Sequence, residues 1–183
     1  MNRLMKRLKS EHRRLATMME LLAGQALTLR DGGDPDLYLL RDVLDYCADY
    51  TNLFHHPAED RALDRLLTKR PELVDSLGAL RLQHGELAQR TQGLLAQLSR
   101  LMVDAPVPRE QLRRELSEFV DLNVQHRSFE EVVVFPALVE SLDARDWRDL
   151  EERDAVARHD AAHTKERRHL RRLYRWLAVE GAA

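Results

Sequence analysis

The run Leu4-Met5-Lys6-Arg7-Leu8-Lys9-Ser10-Glu11-His12-Arg13-Arg14-Leu15-Ala16-Thr17-Met18-Met19-Glu20-Leu21-Leu22 decides the fold. Leu4, Leu8, Leu15, Met19 and Leu22 recur at helical intervals once His12 is counted into the gap between Leu8 and Leu15. The stripe therefore belongs to an amphipathic α-helix whose buried face carries a histidine.

Turn signals mark where this helix and its successors stop. Asp31-Gly32-Gly33-Asp34-Pro35 ends the first segment, Lys69-Arg70-Pro71 the second, Asp104-Ala105-Pro106-Val107-Pro108 the third and Ser141-Leu142-Asp143 the fourth. The second carries Leu37, Leu40, Leu44, Cys47, Phe54, Ala58 and Leu66; the third Leu73, Leu77, Leu80, Leu87, Leu94 and Leu98; the fourth Leu112, Leu116, Phe119, Val133 and Ala137. Long segments with short connections predict an all-α, up-down-up-down four-helix bundle over residues 1–142. Residues 143–183, with stripes at Trp147 and Leu150 and again at Leu170, Leu173, Tyr174 and Leu177, are expected to form a C-terminal helical extension packed on the bundle.

Composition agrees and narrows the function classes. Seven glycines and six prolines are too few for the many tight turns of a sandwich or barrel. A net charge of −2 argues against a protein that grips nucleic acid through bulk charge. The basic stripe from Lys165 to Arg175 reads as the solvated face of an amphipathic helix. One cysteine, Cys47, leaves no intramolecular disulfide, and no apolar run is long enough to span a bilayer, so a cytoplasmic protein is expected.

Eight histidines are the unusual feature of the composition. His12, His84 and His126 interrupt apolar stripes, and His55 stands beside Phe54 with Glu59 one turn on. A helix rises about 1.5 Å per residue, so position converts to height in an antiparallel bundle. Measured from the end shared by Arg30, Pro35, Met102 and Pro108, His12, His55, Glu59, His84, His126 and Glu130 fall within a band of roughly 9 Å. The pairs His55/Glu59 and His126/Glu130 are spaced i, i+4, each projecting from one helical face. Two buried carboxylates need cationic compensation, which neutral imidazoles do not supply and metal ions do. Four nitrogens and two bridging carboxylates exceed the needs of one tetrahedral zinc and suit a pair of ions with mixed ligation, for which iron is the natural candidate. A bridging oxide or hydroxide and one small exogenous molecule complete the expected centre.

These residues resemble the hemerythrin-like HHE cation-binding proteins over about residues 1–142. The matching elements are Glu11-His12-Arg13-Arg14-Leu15, His55-His56-Pro57-Ala58-Glu59-Asp60, Gln83-His84-Gly85-Glu86-Leu87 and His126-Arg127-Ser128-Phe129-Glu130-Glu131 followed by Val134-Phe135-Pro136. The resemblance implies a non-heme di-iron centre with His12, His55, His84 and His126 as ligands and Glu59 and Glu130 bridging. Its small-molecule partner would be oxygen, nitric oxide or peroxide. The oxygen carriers of this family use a second histidine on the third helix, where Leu80 and Ala88 stand one turn either side of His84. One position is therefore expected to be open, or filled from outside the four stripes.

Several residues are candidates to fill it. His56 is turned roughly 100° from His55; Tyr46 and Tyr50 lie one or two turns above; His159 and His163 form an i, i+4 pair in the extension. Asp60 and Glu131 are expected to stand behind the ligands or at the surface rather than to ligate, and Pro57 and Pro136 to kink their helices. Rival functions are a nitric oxide- or peroxide-responsive di-iron protein in stress defence or iron–sulfur repair, and a metal-free interaction or phosphotransfer bundle. A ferritin-like carboxylate site would need paired Glu-x-x-His motifs, and only Glu166 with His169 fits that spacing.

Overall fold

The computed structural model describes residues 2–161, and every element in them is helical. Helix α1 spans Arg3–Arg30, with the Asn2 side chain accepting from the Met5 amide at 2.7 Å. Glu151 closes the same helix end by accepting from the Leu4 amide at 3.2 Å. The chain reverses through Gly32, whose φ of 85° is available to glycine at little cost. Helix α2 (Leu37–Tyr46) then starts on Asp36, which accepts from the Tyr38 and Leu39 amides.

Helix α2 does not stop at Tyr46. It widens into a π-helix over Cys47–His55 and returns to α geometry as α3 (His56–Lys69). After a 3₁₀ turn at Pro71–Leu73 comes α4 (Val74–Leu101). A loop ending in Pro108 leads to α5 (Arg109–Phe129), a second π segment at Glu130–Val134 and α6 (Phe135–Ser141). Asp143 then caps α7 (Ala144–Ala161) through the Arg145 and Asp146 amides.

Both π segments sit just before a proline. The His56 amide donates to Thr51 O and the Phe135 amide to Glu130 O, each reaching five residues back. Pro57 and Pro136 lack an amide hydrogen, and their rings clash with the carbonyl four residues earlier in a regular α-helix. The wider turn relieves that conflict. In place of a sharp break, each proline is preceded by a widened turn inside a continuous helical rod. The extra residue also shifts the buried register: Val134 and Leu138 enter the core, while Val133, expected inside, is 39% exposed.

The core is divided in two. One apolar cluster joins Leu15–Leu29 of α1 to Leu39–Tyr50, Leu87–Leu98 and Leu112–Val120. The other joins Leu4–Leu8 to Ala58–Leu66, Leu77 and Leu80, Val134–Leu142 and Leu150 of α7. Between them, on all four long rods, lies a layer of buried polar side chains that includes Glu11, His12, His55, His56, Glu59, His84, His126 and Glu130. That layer is the candidate site. No helix among the described residues is long and apolar enough to cross a membrane.

Candidate metal centre

The structure brings all six residues singled out by height and spacing into this layer. His12 Nε2 lies 3.2 Å from Glu59 Oε1 and 3.4 Å from Glu130 Oε2. His55 Nε2 is 3.2 Å from Glu59 Oε1, and His126 Nε2 is 3.4 Å from Glu130 Oε2. His84 Nε2 stands between the carboxylates, 3.8 Å from Glu59 Oε2 and 3.7 Å from Glu130 Oε1.

The outward nitrogens show why the inward ones are available. Nδ1 of His12 meets Glu131 Oε1 at 2.9 Å, that of His55 meets Glu11 Oε2 at 2.9 Å and that of His84 meets Asp60 Oδ1 at 3.0 Å. His126 Nδ1 meets Gln83 Oε1 at 3.1 Å. Each partner atom is an acceptor, so Nδ1 holds a hydrogen and Nε2 is the nitrogen turned into the layer. Asp60 and Glu131 thus orient the His84 and His12 rings from the rim of the layer.

His56 joins the cluster, contrary to what its angle to His55 implies. It is buried and stacks on the His84 ring with centroids 4.2 Å apart, and it meets the His126 ring edge-on at 5.6 Å. His55 instead faces His12, with ring centroids 5.2 Å apart. The turn of roughly 100° between neighbours distributes the two rings over the two halves of the site. The rod packs between two neighbours here, so adjacent side chains can both face inward. Donor atoms of His56, Glu59, His84 and His126 lie within 4.8 Å of one another, as do those of His12, His55 and Glu59.

Tyr46 and Tyr50 do not enter this cluster. They are buried and stacked on each other at 5.2 Å. The Tyr50 hydroxyl donates to Glu11. His163, Glu166, His169, the His159 side chain and the basic stripe lie outside the described residues.

Glu11 is the residue that composition and spacing pass over. It is 1% exposed and receives Arg7 at 2.8 and 2.9 Å as well as Tyr50 and His55. The signal was available, because an acid stands on the buried face between Leu8 and Leu15. Gln83 left no comparable trace, since a polar residue beside His84 looks like any solvated position.

The electrostatics match a cation site. Several inward atoms are buried without a hydrogen-bond partner: His84 Nε2, His126 Nε2, Glu59 Oε2 and both oxygens of Glu130. Such orphaned polar atoms are costly in a folded protein and fit the donor set of a bound metal. Without a metal, protons compensate in part. Burial opposes a charge on His12, but the Glu130 and Glu59 carboxylates lift its pKa to about 10. Burial likewise opposes charge on His84, which Asp60 and Glu130 raise to about 9. Burial depresses His126 to about 4 and, with three neighbouring imidazoles, holds His56 well below its ordinary value. Burial and Glu130 push the Glu59 carboxyl up, whereas His12 and His84 overcome burial and hold Glu130 well below the carboxylate range.

A buried constellation of imidazole nitrogens around two carboxylates, inside an all-helical protein, defines a cation-binding helical domain. The hemerythrin HHE cation binding domain model matches residues 3–138, and the chain belongs to that family. No curated protein matches the chain. The five histidines whose side chains are described are at most 7% exposed. A phosphotransfer module needs an accessible imidazole, and none of these five provides one.

Proposed function

We propose that this protein is an up-down-up-down four-helix bundle that holds two iron ions and binds or senses oxygen or a related small molecule such as nitric oxide or peroxide. His12 and His55 would hold one ion and His56, His84 and His126 the other, with Glu59 and Glu130 available to both. The single observation that carries this reading is the set of buried, unpartnered nitrogen and carboxylate oxygen atoms converging on one layer. His56 would supply the fifth histidine, from the second rod instead of the third.

Bound iron would supply Lewis acidity, redox capacity and a coordination position for a small molecule. The chain's own residues supply the rest. Glu131, Glu11, Asp60 and Gln83 hold the imidazoles in one tautomer. The two apolar clusters shield the layer from water above and below. Two divalent ions bring more positive charge than the two central carboxylates neutralise, leaving room for an anionic or reducible ligand.

Elemental analysis of protein from iron-replete cells, with absorption spectra before and after adding oxygen or azide, tests the reading. About two irons per chain and an absorption spectrum that changes on adding oxygen or azide are expected. Protein purified without metal, or a spectrum indifferent to both ligands, overturns it.

A further inference from the structure

We infer that Arg158 of α7 is a positioning residue for the metal ligand His55, acting through Tyr50 and Glu11, so that docking of α7 tunes the centre. Helix α7 lies beyond the residues matched to the family, which end at 138. The inference rests on the di-metal reading above.

Helix α7 presents one face to the bundle, and that face is mostly ionic. Leu150 enters the lower core and Trp147 packs partly against it. The other anchors are charged. Asp146 receives Arg65 Nε at 2.6 Å and faces Lys69 Nζ at 3.2 Å. Asp154 receives Arg7 at 2.8 Å and lies 3.6 Å from Arg61. Asp146, Leu150, Asp154 and Arg158 recur at i, i+4, which puts them in one row.

Arg158 ends that row at the metal layer. Its Nη1 donates to the Tyr50 hydroxyl at 3.0 Å and lies 3.6 Å from Glu11 Oε1. Tyr50 in turn donates to Glu11, and Glu11 receives His55 Nδ1. The chain Arg158–Tyr50–Glu11–His55 therefore runs from a side chain 40% exposed to a ligand 2% exposed. Arg7 links the same carboxylate to Asp154, so α7 holds Glu11 from two directions. A carboxylate that fixes the ring angle of a ligating histidine governs metal affinity and ligand field. An arginine that anchors that carboxylate acts one step further out.

The test uses the full chain loaded with cobalt(II), whose d–d bands report ligand geometry, with cobalt content measured separately. R158A should keep its cobalt stoichiometry, shift the d–d bands and lose about tenfold in cobalt affinity, the low end for residues behind a ligand. R158K should recover part of the shift. R153A, whose arginine pairs with Asp149 within α7, should match the unsubstituted protein. Raising salt to 1 M, where the Debye length is about 3 Å, should move the unsubstituted spectrum toward that of R158A. An R158A spectrum and affinity equal to those of the unsubstituted protein overturns the inference.

If the chain takes up neither cobalt nor iron, the di-metal reading fails, and the positioning role is read in metal-free protein from the His55 Nδ1 NMR resonance. That resonance should shift in R158A and Y50F and stay in place in R153A. An unmoved resonance in R158A overturns the positioning role.

Discussion

His56 stacks on His84 with ring centroids 4.2 Å apart and planes 10° from parallel. Two imidazoles on neighbouring rods are thereby held side by side against Glu59 and His126. Replacing His56 should empty one half of the site while leaving the His12 and His55 half in place. H56Q is expected to lower metal content toward one ion per chain, or to weaken the second ion by at least about tenfold. Chelator competition with elemental analysis checks this. Full retention of two tightly held ions would remove His56 from the ligand set.

Pro57 gives a second test, because it lies between His55 and Glu59 and one residue beyond the end of the π segment. P57A restores an amide donor and lifts the constraint that keeps this turn wide, since a proline ring inside a regular α-helix typically costs about 3 kcal/mol. The relaxed rod is expected to shorten its π turn and rotate His55 and His56 relative to Glu59. Thermal stability of the metal-free variant should stay level or rise, while metal affinity falls about tenfold. Differential scanning calorimetry and metal titration read the two effects separately.

The pH response follows from His12 and His84. Their folded-state pKa values of about 10 and about 9 lie above the ordinary imidazole value near 6.5. A raised value means the folded state binds the proton more tightly than the unfolded chain. The stabilisation is complete below pH about 6.5 and is lost as pH climbs toward 9 and 10. The metal-free protein should therefore melt at lower temperature at pH 9.5 than at pH 7. In the opposite direction, protons compete with metal for the same nitrogens, so holoprotein should release metal as pH falls below about 6. Melting curves across this range, and metal retention after dialysis, check both signs.

Phe135 packs its ring 4.9 Å from that of His12 and is 1% exposed. Truncation would open a cavity directly beneath His12. F135A should cost about 3–5 kcal/mol in stability and also loosen metal binding, because His12 loses the surface that sets its ring angle. Urea unfolding gives the first quantity and chelator competition the second.

Cys47 is buried and its thiol is pushed up to about 12 by burial. A protonated, inaccessible thiol is a poor nucleophile. Iodoacetamide at pH 8 should leave the native protein unmodified and label it once in denaturant, as counted by mass spectrometry.

The helical rods, their breaks and the level of the polar layer were legible in residue order, because apolar periodicity and helical rise are local properties of a chain. Leu8 and Leu15 flanking His12, and the i, i+4 pairs His55/Glu59 and His126/Glu130, needed no tertiary information. The place of Val133 did, since a π turn adds one residue to the rod and moves the buried set to Val134 and Leu138. His56 needed it for a related reason. Whether a residue roughly 100° from a stripe faces solvent or a second neighbour depends on how rods pack, which no single helix encodes. Glu11 and Arg158 lie at the far limit. One sits on the buried face beside His12 and the other on a helix more than a hundred residues later. Only folding brings them within 3.6 Å, where the charge of one can orient what the other holds.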